Sequence, residues 1–172
     1  MRLRSFRRST SGSAALEFAM LAPLFLSVAL SSFEAGWLMI QSSRLDQAVS
    51  KIVRLVRVGD ANAPKTQDQM RIAICTEAVV IRDCANVLTV ELTPVATASD
   101  IPASAVQCVD RGAKLQPSVA YKEGSRAAIM YLRVCVVVDP VTPFLGLGLA
   151  LPKDATGGYA LISRTAFMNE PG

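Results

Sequence analysis

Histidine is absent from all 172 residues. The commonest general base and metal ligand is therefore missing, and no G-x-S-x-G elbow or glycine-rich phosphate loop takes its place. Aromatic side chains make up only 6% of the chain, and no stripe of lysine and arginine is interleaved with them, which argues against a nucleic-acid surface. No C-x-x-C pair occurs among the four cysteines, Cys75, Cys84, Cys108 and Cys135. A zinc site would need all four thiolates at spacings that do not suit one, so two disulfides in an exported domain account for them better than buried free thiols in a cytosolic one. Neither catalytic residues nor a cofactor nor a metal is expected, and the chain reads as a protein that is not an enzyme.

A general excess of positive charge is also missing, although the net charge is +4. Four of the 18 basic residues, Arg2, Arg4, Arg7 and Arg8, fall in the first twelve positions, which hold no acid; the remainder carries 14 basic and 14 acidic side chains. The basicity belongs to a leader and does not describe a binding face.

What the sequence does contain is a long apolar stretch near its start. No charge lies between Glu17 and Glu34, and the high mean hydropathy of +0.36 is concentrated there. Residues 18–33 alone fall short of a bilayer core of about 30 Å, so a spanning helix must borrow from its flanks. With Trp37 at one interface, Glu17 lies about 30 Å away along the helix, and Glu34 sits under one turn inside the Trp37 level, where its carboxylate reaches headgroup water. The clustered arginines stay cytoplasmic and everything after Trp37 is periplasmic, in a single-pass topology. Helical pattern continues through Ile40, Leu45, Ala48, Val49, Ile52, Val53 and Val56, and Gly59-Asp60 followed by Pro64 supplies a stop near residue 58. Pro23, inside the apolar run, is expected to kink the helix.

The stretch Gly12-Ser13-Ala14-Ala15-Leu16-Glu17-Phe18 with its continuation AMLAPLFL, and Phe33-Glu34-Ala35-Gly36-Trp37 at the far end, resembles the TadE-like minor pilins of tight-adherence (Flp-type) pilus systems. The closing strand around Tyr159 to Pro171 is similar in a looser way. The resemblance implies cleavage after Gly12 by an aspartyl prepilin peptidase, with Ser13 as the new N-terminus and the Glu17-Phe18 pair as part of the processing signal. It further implies that Glu17, and Glu34 with it, serve assembly, Glu17 meeting the amine of a neighbouring subunit. Implied partners are the peptidase, major and minor pilin subunits, the inner-membrane assembly platform and inner-membrane lipid. Two other readings stay open. Residues 1–31 could be a secretory signal ending at Ala29-Leu30-Ser31, releasing a soluble binding domain, or the chain could be an uncleaved single-span subunit of an envelope complex.

After the helix, Thr66-Gln67-Asp68-Gln69 has the form of a capping box and predicts a helix over 67–82 with Met70, Ala73, Ile74, Ala78 and Ile81 on its apolar face. Period-two patterns predict strands at 87–93, 128–138 and 159–168, with loops at 97–104 and 152–158. Of three possible cysteine connectivities, nearest neighbours select Cys75 with Cys84 and Cys108 with Cys135. The expected organisation is a leader over 1–12, a membrane and spine helix over 13–58, and a head over 59–172. Its fold class is α+β: a long transmembrane-plus-amphipathic helix packed on a small antiparallel sheet, as in pilins. The apolar segment 141–151, broken by Gly146 and Gly148, reads either as a buried crossing or as an exposed loop that docks on a subunit or a bilayer.

Overall fold

A computed structural model describes residues 11–102, 107–112, 119–122 and 124–170. The arginine leader lies outside the described residues. One helix, α1, runs Ser11–Arg57 and continues through Pro23. It ends where the sequence places a stop. The amide of Asp60 donates to the Leu55 carbonyl at 3.1 Å and that of Gly59 to Val56 at 3.2 Å, with Gly59 at φ +67°. This crossed pair is the Schellman cap, which needs a left-handed residue at the position glycine occupies.

The chain divides into two compact units, one running to Gly36 and including Val141–Leu151, the other made of Trp37–Pro140 and the chain from Pro152 onward. In the second unit the amphipathic part of α1 buries Leu45, Ala48, Val49, Ile52 and Val53, whose three- and four-residue spacing makes one stripe. Full burial of each of the larger aliphatic side chains contributes about 1.5–3 kcal/mol. Ile40, placed on that stripe by periodicity, is exposed, and its neighbour Gln41 is buried instead.

The head begins with α2, Gln67–Glu77, whose capping box forms as its sequence requires: Gln69 N–H donates to Thr66 Oγ1 at 3.2 Å, and Thr66 N–H to Gln69 Oε1 at 3.4 Å. The helix stops five residues short of the expected 82. Ala78 caps it with an N–H bond to Ile74, and the chain turns through Asp83 at φ +50° into one short turn, α3, Cys84–Val87. The apolar residues Ala78 and Ile81 remain buried, so the turn preserves their stripe while breaking the helix that suggested it. Cys75 bonds Cys84 across this turn.

Three strands follow, β1 Leu88–Val95, β2 Ile129–Val138 and β3 Tyr159–Met168, all antiparallel in the order β1-β2-β3. The register aligns Val90 with Val134 and Leu92 with Leu132, and then Met130 with Phe167. One face therefore gathers Leu88, Val90, Leu92, Met130, Leu132, Val134 and Phe167, all buried, and α1 packs on the sheet. At the edge, β3 shows the alternation of a half-buried strand; in β2, by contrast, every residue from Leu132 to Val138 is buried. The second face of β2 is covered because the chain returning from β1 is fastened to it. Cys108 bonds Cys135, Thr89 Oγ1 donates to the Gln107 carbonyl at 2.7 Å, and Arg133 Nη1 donates to the Pro102 carbonyl at 3.2 Å. Arg133 also pairs with Glu91, directly opposite it in the register.

Candidate processing and assembly site

Near its start α1 is bare among the described residues. Leu16, Phe18, Met20, Leu21, Leu24 and Phe25 are all more than half exposed, and the apolar window that could cross a membrane is entirely unburied. Among the described residues this is one helix long and apolar enough to span a bilayer. An apolar helix surface of this extent is stable only against lipid or other apolar helices.

Gly12, Ser13, Glu17 and Phe18 lie together on the first two turns, all exposed. Ser13 Oγ donates to Glu17 Oε1 at 3.2 Å, so positions 13 and 17 are neighbours on one helix face, as their four-residue spacing requires. A Cβ at Gly12 would meet nothing within 4 Å among the described residues.

Glu34 departs from the expectation that its carboxylate faces headgroup water. It is completely buried. Val141 N–H donates to both of its carboxylate oxygens at 3.0 Å, and Thr142 donates to Oε2 twice, from N–H at 2.8 Å and Oγ1 at 3.0 Å. A charged acceptor without water needs several donors of this kind, and the segment after Pro140 supplies them. The sequence shows an acid at the end of an apolar run and a threonine far away; nothing local to either position announces that they meet.

The four cysteines act elsewhere, as the two bridges of the head. Among the described residues no cluster of cysteine, aspartate and glutamate is arranged to hold a metal. A cleft of about 420 Å³ lies in the head, lined by Val56, Pro64, Tyr121, Met130 and Phe167 among others.

A long N-terminal helix, bare and apolar at its start and packed at its end on a three-stranded antiparallel sheet, defines a pilin-like α+β protein with one candidate membrane span. Residues 12–54 match the family model described as TadE-like protein, the family that the first third of the sequence resembles. The matched segment contains Gly12, Ser13, Glu17, Phe18 and Glu34. No curated protein and no solved structure gives a match.

Proposed function

We propose that the chain is a non-catalytic minor pilin, or pseudopilin, of a tight-adherence-type pilus. In this reading α1 is held in the bacterial inner membrane with its N-terminus cytoplasmic and its head periplasmic. Prepilin peptidase cuts after Gly12, and the mature subunit joins major and minor pilins at the assembly platform. The observation that carries the proposal is the bare apolar start of α1 with a lone carboxylate, Glu17, on its exposed surface inside the matched segment.

The chemistry of that carboxylate supports a role in assembly. Cleavage after Gly12 would place the α-amino group of Ser13 one turn from Glu17, where the side chain of Ser13 already reaches it. Both groups then lie in the same low-dielectric layer, where a carboxylate seeks a cation, and a neighbouring subunit's N-terminus offers one. Helix N-termini also favour negative charge.

The secretory alternative finds less support. A cut after Ser31 would fall inside a continuous helix and would remove Ser31, whose Oγ accepts the Leu147 N–H at 3.1 Å.

Glu17→Gln keeps the size of the side chain and removes its charge. The expected result is normal export and disulfide formation with loss of the subunit from purified pili. A variant processed and incorporated like the parent would reduce Glu17 to an interfacial carboxylate and remove the assembly role.

A further inference from the structure

The segment Val141–Leu151 has no charged residue and exposes large apolar side chains: Phe144 is 85% exposed, Leu149 66% and Leu145 50%. It belongs to the same compact unit as the apolar part of α1. Its contacts fix the level at which those side chains are displayed. Gly146 has φ +51°, and a Cβ there would strike Ser31 Oγ and press on the Ser27 carbonyl, so its backbone lies directly against the helix. Leu147 N–H donates to Ser31 Oγ at 3.1 Å, while Glu34 holds the start of the segment. Ser31 precedes Trp37 by six residues, about 9 Å of helix rise. If α1 spans the bilayer with Trp37 at the interface, the segment lies within the hydrocarbon edge of the periplasmic leaflet. That depth matches the roughly 5–10 Å to which interfacial elements bury their apolar side chains.

Irregular backbone at such a depth must find hydrogen-bond partners without water. Here it has them. Val141 and Thr142 donate to Glu34, Leu145 to the Thr142 carbonyl at 3.3 Å, Leu147 to Ser31 and Leu151 to the Leu147 carbonyl at 3.1 Å; residue 143 is proline and has no N–H. The short helix α4, Gly146–Ala150, satisfies part of this internally.

We infer that Val141–Leu151 is a second membrane contact, a strap that inserts Phe144, Leu145 and Leu149 among the acyl chains of the periplasmic leaflet and is fastened to α1 by Glu34. This rests on the membrane-anchor reading of the proposed function and adds to it. The strap makes the anchor two-pronged, so that rotation of α1 about its axis is opposed by lipid contact on one side.

The test uses the full chain in nanodiscs of phosphatidylethanolamine and phosphatidylglycerol doped with acyl-brominated phosphatidylcholine. In a Trp37→Phe background, Phe144→Trp and, separately, Leu24→Trp provide single indoles. The expected result is that both lose most of their emission to brominated lipid and little to aqueous iodide. Adding Glu34→Ala to Phe144→Trp is expected to reverse that preference, while leaving the Leu24→Trp indole in lipid. Iodide quenching of Phe144→Trp with lipid quenching of Leu24→Trp would overturn the strap while leaving the anchor intact. Protection of Phe144→Trp from both quenchers would assign the segment to a protein neighbour and also overturn it. Exposure of both indoles to iodide would remove the anchor and the strap together. Lipid quenching unchanged by Glu34→Ala would remove Glu34 as the fastening.

Discussion

Asp154 sits where burial and hydrogen bonding pull in opposite directions. Burial raises its pKa, but the Gly158 N–H, the Thr156 hydroxyl and N–H, and the charge of Arg111 together outweigh it and hold the carboxyl below its ordinary value. Geometry agrees: one oxygen accepts from Gly158 N–H, Thr156 N–H and Thr156 Oγ1, each at 2.8 Å, closing the loop that leads into β3. A carboxylate whose folded pKa is depressed stabilises the fold above its unfolded pKa, and that contribution disappears as pH falls through the folded value. Asp154→Asn is therefore expected to lower the melting temperature at neutral pH, and the gap from the parent should close at pH values below the ordinary carboxylate range. Thermal unfolding across pH checks it; a gap that persists unchanged in acid would contradict the assignment. Glu17 and Asp154 also mark what a sequence can disclose about single residues. Glu17 is singled out by a local pattern: a glycine, a carboxylate five positions on, and an apolar run. The environments of Asp154 and Glu34 are not, since each depends on backbone amides whose positions are set by the fold.

At the scale of elements, local chemistry was read closely where the hydrogen bonds are local. The Schellman stop after Arg57 and the Thr66 capping box both close within six residues, and both form where the pattern placed them. So do the strands, because burial on one face imposes period two. What escaped was the second face of β2. Arg133 alternates with apolar residues along β2, yet only 4% of it is exposed, paired with Glu91 and bonded to Pro102. That pairing requires the β1–β2 register and the path of the chain after β1, neither of which any window of sequence contains. It has an energetic consequence. Removing one partner of a buried pair leaves the other charge uncompensated, a cost of about 3–5 kcal/mol. Glu91→Ala should destabilise the head by an amount in that range in chemical denaturation, whereas Glu91→Ala combined with Arg133→Met should recover much of the loss. Equal stability of Glu91→Ala and the parent would mean that the pair contributes nothing to the head.

For the whole molecule, the division of labour follows from which surfaces are left bare. The second half of α1 is committed to the sheet, two disulfides close the head, and the apolar side chains from Leu16 to Phe25 stay exposed among the described residues. An α+β layout with one long helix was legible because amphipathic spacing persists past the apolar run; the grouping of Val141–Leu151 with that run was not, being a contact over more than a hundred residues. The assembly role proposed for the bare helix begins with its processing. The most direct measurement is the intact mass of the protein purified from the membrane fraction of cells that contain the prepilin peptidase. A mature chain beginning at Ser13, with both disulfides formed, is the predicted result, and it should revert to the unprocessed mass when the peptidase is deleted. A chain beginning at Ser32, or one of unchanged length in cells with an active peptidase, would contradict the account.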